Sequence, residues 1–165
     1  MKVYFAGPDV FSRSYGAFKT MVVAYCVELG LEPLFPGDEV TGTDPAAIFR
    51  DNLALIDRAH VVVANLNPFR GTEPDSGTVF ELGYAYARGK RLFGYVEIEE
   101  TTVDRLERID GPTTRYGSDV LDRQGNKVES FGLPMNLMVC VPAVLVTGSV
   151  RECLVRVTNS PHSGN

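Results

Sequence analysis

Two acidic residues, Asp75 and Glu81, have the types and spacing that could do chemistry in this sequence of 165 residues. Asp75 lies in a loop rich in glycine and proline, where it or Ser76 can cap an apolar helix predicted to begin near Gly77. Glu81 lies in the second turn of that helix. Its apolar neighbours should desolvate it while the helix N-terminus favours its ionised form, which predicts a poorly hydrated carboxylate able to attack an electrophilic carbon.

Paired carboxylates beside a sugar carbon are the arrangement that performs glycosyl transfer with retention of configuration. One carboxylate attacks C1, and the other manages the proton of the leaving group. A structural alternative has Asp75 only capping the helix and Glu81 pairing with Arg88 or Arg91 at the surface. The spacing alone leaves both interpretations open.

Cofactor and metal sites lack their usual residues. No G-x-G-x-x-G follows the first predicted strand, and no G-x-x-x-x-G-K-[ST] occurs anywhere in the sequence. The two histidines, His60 and His162, are far apart, and neither has a second candidate ligand nearby. We therefore expect neither a cofactor nor a metal ion.

Composition restricts the class of protein. With 44% apolar and 22% charged residues, the chain suits one compact domain, which we place at residues 1–157 with a disordered tail at 158–165. The net charge of −5 and the lack of a Lys/Arg run argue against nucleic acid as a partner. Neither a signal peptide nor a membrane span is predicted.

The three cysteines, Cys26, Cys140 and Cys153, are odd in number, widely spaced and surrounded by apolar residues. This pattern favours reduced core thiols over a disulfide framework. It predicts a cytoplasmic protein.

The elements that must position the two carboxylates alternate between strand and helix. Strands separated by helical crossovers predict an α/β three-layer sandwich of Rossmann-like type, with a five-stranded parallel sheet in the order 2-1-3-4-5. Residues 99–115 are predicted as a helix or lid, and Gly125-Asn126 as a hairpin turn. The predicted strands are 2–6, 32–35, 60–66, 91–96 and 139–146, and the predicted helices are 15–29, 46–59, the one beginning near Gly77, and 150–157.

In that strand order, ligands bind where the loops leave the carboxyl ends of strands one and three. Those loops are residues 7–14 and 67–77, so the second of them delivers Asp75 and Glu81 to the binding edge. Phe11 and Phe69 give these loops flat apolar surface against which a purine can lie.

Three blocks, YFAGPDVF, NPFRGTEPDSGTVFELGYAYARGK and SFGLPMNLM, resemble the nucleoside 2-deoxyribosyltransferase family. The FRGxEPDxGT form resembles the branch associated with purine deoxynucleosides. The resemblance implies a flavodoxin-like fold, which matches the strand order above, and a ping-pong transfer of 2-deoxyribose between free bases. It also implies a homo-oligomer, a dimer or a hexamer.

The resemblance further implies roles for individual residues. Glu81 matches the nucleophile, Asp75 the acid that protonates the leaving base, and Tyr4 the tyrosine that orients the nucleophile. Asn136, with Met138 beside it, matches the asparagine that reaches the sugar from a neighbouring subunit. The remaining expected substrate contacts are Gly7, Phe11, Asn52, Phe69 and Gly77, with Asn52 near a position where some members have an aspartate.

Two alternatives remain from the sequence. A hydrolase of deoxynucleoside monophosphates would use the same glutamate with water as acceptor, and would need a phosphate site from Arg13, Lys19 or Arg70. A non-catalytic nucleotide-sensing module could share the fold. An intact Asp75 and Glu81 argue against the sensor.

Overall fold

The structure is a computed structural model, and it describes residues 1–38 and 43–160. A 3-10 turn at Pro8–Phe11 follows the first strand. In chain order the elements are β1 (Lys2–Ala6), α1 (Tyr15–Glu28), β2 (Glu32–Leu34), α2 (Pro45–Arg58), β3 (Val61–Asn65), α3 (Ser76–Ala87), β4 (Arg91–Val96), α4 (Thr102–Ile109), β5 (Thr114–Tyr116), β6 (Asp119–Leu121), β7 (Lys127–Val128), α5 (Leu137–Cys140), β8 (Val144–Thr147) and α6 (Val150–Asn159).

The central sheet has five parallel strands in the order β2-β1-β3-β4-β8. The predicted order 2-1-3-4-5 is confirmed, with β8 as its fifth strand. The chain reverses its direction of winding between β1 and β3, because β1 pairs with β2 on one side and with β3 on the other. Both edges of the sheet are short: β2 has three residues, including Pro33, and β8 has four.

Helices pack on both faces of this sheet because successive strand residues point to opposite sides. Tyr4 and Val62 face one side, where they pack with Leu82 of α3 and with apolar residues of α2 and α5. Val3 and Val61 face the other side, which α1 and α6 cover. Tyr4 is fully buried at the centre of the first of these layers.

The predicted last strand at residues 139–146 is wrong at its start. Val139 and Cys140 belong to the helical turn α5, which Asn136 caps by accepting a hydrogen bond from the Met138 amide. The strand begins only at Val144, after Pro142. The apolar run from Val139 therefore covers two elements rather than one, because proline cannot donate to a strand ladder.

The segment between β4 and α5 contains a helix and a small antiparallel sheet in the order β5-β6-β7. A capping box between Thr101 and Asp104 begins α4, which confirms a helix within residues 99–115. The predicted turn at Gly125-Asn126 is present between β6 and β7, and the Asp122 carboxylate accepts from the Asn126 amide to hold it.

The last helix, α6, continues to Asn159, two residues beyond the predicted end of the domain at residue 157. The rest of the predicted tail from residue 161, including His162, lies outside the described residues. All three cysteines are buried and free. Within the described ranges, no helix combines the length and apolarity needed to cross a membrane.

Candidate active site

Asp75 caps the helix that carries the candidate nucleophile. Its Oδ2 accepts from the Thr78 amide at 2.9 Å and from the Thr78 hydroxyl at 3.1 Å, so α3 begins at Ser76. Gly77 gives this carboxylate room, because a Cβ at Gly77 would lie 3.1 Å from Asp75 Oδ2. Of the two predicted caps, the structure selects Asp75.

Glu81 accepts a hydrogen bond from the buried strand beneath it. The Tyr4 hydroxyl donates to Glu81 Oε1 at 2.7 Å, so the contact that the family resemblance implied is present. The alternative surface pairing is absent, because both arginines bond elsewhere. Arg88 Nε donates to Asp57 at 2.7 Å, and Arg91 Nη2 donates to backbone carbonyls near the end of α6.

Burial raises the pKa of Glu81 to about 7, because desolvation penalises the charged carboxylate. The hydrogen bond from Tyr4 opposes this shift, and the negative charge of Asp75 adds to it. Burial and the Glu81 charge also raise the pKa of Tyr4, so its hydroxyl keeps its proton and remains a donor. Desolvation thus outweighs the predicted helix-dipole effect, and Glu81 is poised between its two protonation states near neutral pH.

Asp75 and Glu81 lie on the same helix, about 9 Å apart along its axis at 1.5 Å per residue. Helical side chains tilt towards the helix N-terminus, so the Glu81 carboxylate reaches back in the direction of Asp75. The arrangement places the candidate nucleophile and a second carboxylate in the N-terminal half of α3 and its cap.

A polar network joins the carboxyl ends of three strands. Asn65, at the end of β3, donates from Nδ2 to both Asp9 oxygens at 3.2 and 3.0 Å, and burial raises the Asp9 pKa. Asn65 Oδ1 accepts from Asn67 Nδ2 at 2.8 Å, and Asn67 Oδ1 accepts from the Glu97 amide at 2.8 Å. Gly7 permits this approach, because a Cβ there would lie 2.9 Å from Asn65 Cβ.

Sequence reasoning missed this network because its members are far apart in the chain. The signal in the sequence was that Asp9, Asn65 and Asn67 stand at or shortly after the carboxyl ends of two strands that meet at one edge of the sheet.

Two predicted base-contacting residues meet at the mouth of the crevice. The rings of Phe11 and Phe69 stack with centroids 5.7 Å apart and planes 16° apart. The Arg70 guanidinium lies 4.6 Å from the Phe69 centroid and 5.3 Å from the Phe11 centroid. Phe11 is 60% exposed, so this aromatic surface is open to solvent and to a ligand.

Two of the basic residues considered for a phosphate site contact other groups of the protein. Lys19 forms an ion pair with Asp38 and lies 5.2 Å from the centroid of the Phe35 ring. Arg70 is held against the two phenylalanine rings. The described contacts therefore give two of the three candidates partners within the protein.

Asn52 lies within α2, and Asn136 lies at the start of α5. Asn52 Oδ1 accepts from the Gly37 amide at 3.3 Å, joining α2 to the loop after β2. Asn136 Nδ2 donates to Glu129 Oε1 at 2.8 Å while its Oδ1 caps α5. The side chain of Asn136 is thus fixed on both sides, and Met138 beside it is 75% exposed.

An open apolar groove separates α3 from α5. It has a volume of about 1130 Å³, and Val79 and Leu82 form one wall while Leu137 and Val141 form the other. Val141 is 75% exposed. Asn136 also lines this groove, so the predicted sugar-binding residue borders an unpartnered apolar surface.

Across residues 1–38 and 43–160, no cluster of three or more His, Cys, Asp or Glu side chains has the geometry to hold a metal ion.

Comparison with known proteins relates this chain and its fold to one family. A family model described as nucleoside 2-deoxyribosyltransferase matches residues 3–138. A solved 2-desoxiribosyltransferase from Leishmania mexicana is 34% identical, with a TM-score of 0.79 and 98% of each chain covered. None of the curated protein sequences matches this chain.

Two further solved structures share the fold. A conserved protein from Enterococcus faecalis V583 is 18% identical with a TM-score of 0.60, over 95% of this chain and 98% of its own. A 2-deoxyribosyltransferase from the psychrotolerant bacterium Bacillus psychrosaccharolyticus is 21% identical with a TM-score of 0.50, over 72% of this chain and 87% of its own.

Proposed function

This chain belongs to the nucleoside 2-deoxyribosyltransferase family, and from that premise we propose that it transfers the 2-deoxyribosyl group of a purine deoxynucleoside to a second free base. The observation that carries the proposal is the 2.7 Å hydrogen bond from Tyr4 to a desolvated Glu81. A non-catalytic sensing module does not require a carboxylate whose ionised form is destabilised by burial. The description of the Leishmania mexicana relative also supports transfer.

In the first step, Glu81 Oε2 attacks C1′ from the face opposite the base while Tyr4 holds Oε1. Asp75, which takes up a proton from solvent when the nucleoside binds, gives it to the departing purine nitrogen as the C1′–N bond breaks, and a deoxyribosyl ester of Glu81 remains. In the second step, a nitrogen of the incoming base attacks C1′ and the ester C–O bond breaks. The proton of the incoming base passes to Asp75, and two inversions retain the β-configuration.

The tuning of Glu81 favours the first step, and the hydrogen bond from Tyr4 assists the second. A poorly hydrated carboxylate with a raised pKa attacks readily, whereas the Tyr4 hydroxyl stabilises the carboxylate that leaves when the ester is cleaved. The sugar lacks a 2-hydroxyl group, so no neighbouring electronegative oxygen destabilises the cationic transition state.

The aromatic surface of Phe11 and Phe69 supports a purine as the preferred base, because a flat ring system can stack there. Gly7 and Gly77 keep the walls of the crevice free of side chains beside Asp9 and Asp75. Asn52 borders the loop after β2, from which it can reach the base.

The active unit in this proposal is a homo-oligomer in which Asn136 reaches the sugar of a neighbouring subunit. The apolar groove beside Asn136 supports this assembly, since a second copy that covers Val141 and Met138 would bring Asn136 to another site. Buried free thiols support a reducing, cytoplasmic location, where base exchange serves nucleoside salvage.

The deciding experiment incubates the protein with deoxyinosine and free adenine and separates the products by chromatography. We expect deoxyadenosine with the β-configuration. Release of hypoxanthine without deoxyadenosine indicates a hydrolase, and the absence of both products indicates a non-catalytic module. Incubation with deoxyinosine alone, followed by acid quenching and mass spectrometry, should show one deoxyribosyl group on the peptide that contains Glu81.

Glu81→Ala should abolish both the product and the modified peptide. Glu28→Ala is the matched control, because Glu28 is an exposed glutamate paired with Arg151 on the far side of the sheet. Near-normal turnover by Glu81→Ala would contradict the assignment of the nucleophile.

A further inference from the structure

One arginine in the charged helix α4 is buried. Arg105 is 3% exposed, whereas the neighbouring Arg108 pairs with Glu100 at the surface. The Arg105 guanidinium donates in three directions. Nε donates to the Thr72 carbonyl at 2.5 Å, Nη2 to Glu73 Oε1 at 3.2 Å, and Nη1 to the Pro134 carbonyl.

These three acceptors belong to two different segments of the proposed site. Thr72 and Glu73 lie in the loop that ends at Asp75, and Pro134 lies two residues before Asn136. A single side chain therefore ties the loop of the acid to the turn of the sugar-binding asparagine.

Stability alone does not account for a charge at this position. Removing a guanidinium from water is costly, and well-packed apolar side chains often replace buried ion pairs without loss of stability. What only arginine offers is a planar fork of five donors, which can hold two backbone carbonyls and a carboxylate in fixed directions. A lysine ammonium can satisfy one or two of them but cannot impose the same geometry.

We propose that Arg105 is a positioning residue that sets Asp75 in its own subunit and Asn136 for the neighbouring subunit. The proposal rests on the proposed function. Displacement of Asp75 weakens protonation of the leaving base and so lowers kcat. Displacement of Asn136 weakens binding of the sugar and so raises KM.

Mixed dimers made from differently tagged subunits separate the two effects. When an Arg105→Met subunit pairs with a Glu81→Ala subunit, the competent site has an altered Asp75 loop and an intact partner Asn136. We expect kcat to fall about 10- to 100-fold relative to the wild-type/Glu81→Ala dimer, with KM unchanged, since small misplacements of catalytic groups cost this much.

When a subunit carrying both Arg105→Met and Glu81→Ala instead pairs with a wild-type subunit, the competent site has an intact Asp75 loop but receives Asn136 from the altered subunit. We expect KM for the deoxynucleoside to rise about tenfold relative to the wild-type/Glu81→Ala dimer, with kcat unchanged, which is the size of one lost hydrogen bond. Arg108→Met in the same pairings is the control and should match the references.

Arg105→Lys guards against misfolding of the methionine variant. It keeps the buried charge, and we expect intermediate values of kcat and KM at an unchanged thermal midpoint. The proposal would be overturned if either Arg105→Met dimer had the same kcat and KM as the corresponding dimer without the Arg105 substitution. It would also be overturned if kcat fell equally in both Arg105→Met dimers. A KM raised about tenfold in the dimer of Glu81→Ala with Asn136→Ala, relative to the wild-type/Glu81→Ala dimer, would show that Asn136 acts within its own subunit, which overturns the cross-subunit part of the proposal. Absence of transfer by the wild-type protein contradicts the proposed function itself.

Discussion

The Tyr4 hydroxyl donates to Glu81 Oε1 at 2.7 Å from a strand position that is fully buried. The bond joins the first strand to the helix that bears the proposed nucleophile, across 77 residues of sequence. It is the main interaction that opposes the desolvation of Glu81. The charge state of the site near neutral pH therefore depends on one phenolic proton.

Tyr4→Phe should move the pH dependence of activity. Loss of the hydrogen bond raises the Glu81 pKa above about 7, so a smaller fraction of Glu81 is ionised at neutral pH. We expect the acidic limb of kcat/KM to shift upward by about one pH unit, with activity at pH 7 reduced about fivefold. Tyr84→Phe is the control, because Tyr84 lies on the same helix but bonds Asp57 at the surface. If the acidic limb of kcat/KM did not shift in Tyr4→Phe, Tyr4 would not control the ionisation of the nucleophile.

Glu81→Gln should be inactive yet more stable above neutral pH. The folded-state pKa of Glu81 is raised from its ordinary 4.5 to about 7, so the folded protein binds more protons than the unfolded chain between these values. Stability therefore falls as the pH rises from 4.5 to 7. The neutral amide of Glu81→Gln escapes this loss. The difference in free energy of unfolding between Glu81→Gln and wild type should therefore be about 1–3 kcal/mol more favourable to the variant at pH 8 than at pH 5.

Urea unfolding at the two pH values measures that gain. Glu28→Gln, which removes an exposed carboxylate, should change little at either pH. If Glu81→Gln changed the free energy of unfolding equally at pH 5 and pH 8, ionisation of Glu81 would not destabilise the folded protein.

Asp75→Asn and Asp75→Ala should separate capping from catalysis. Asparagine caps helices as well as aspartate does, so Asp75→Asn should keep its stability, whereas Asp75→Ala should lose about 1 kcal/mol. Both should transfer slowly from deoxyinosine, because neither can protonate the departing base. A 7-methylated deoxyguanosine carries a positive base that leaves without protonation, and it should restore much of the rate to Asp75→Asn. Equal impairment with both donors would contradict the role of Asp75 as the acid.

Val141→Asp should weaken the proposed assembly. The substitution places a charge in the apolar groove beside Asn136, where a second copy would have to desolvate it. We expect a smaller species in analytical ultracentrifugation and a parallel loss of activity that high protein concentration restores. Val27→Asp is the matched control, since Val27 is a similarly exposed valine on α1. Identical sedimentation of wild type and Val141→Asp would show that the groove beside Asn136 is not the subunit interface.

Much of the fold follows from local rules. Alternating strands and helices implied the parallel order, and Asp75 before an apolar helix implied a cap, because both inferences use only neighbouring residues. The start of the last strand was wrong because Val139 and Cys140 suit a strand by composition. Instead, the side chain of Asn136 caps a helical turn that contains both residues, and the strand begins only after Pro142.

The missed parts depend on contacts between distant residues. Arg105 appears in a charged segment and looks like any exposed helical arginine until the loops at Thr72 and Pro134 close over it. The bond between Asp9 and Asn65 spans 56 positions. The contact of Tyr4 with Glu81 was implied by family resemblance, since nothing in the spacing of these two residues predicts it.

The short outer strands of the sheet have a consequence for behaviour at high concentration. An exposed strand edge is a template on which other chains can add and aggregate. Here β2 offers three residues, one of which, Pro33, has no amide proton, and β8 offers four, preceded by Pro142. The sheet therefore gives an incoming strand too few consecutive donors and acceptors for runaway edge-to-edge growth, and the protein should remain colloidally stable when concentrated.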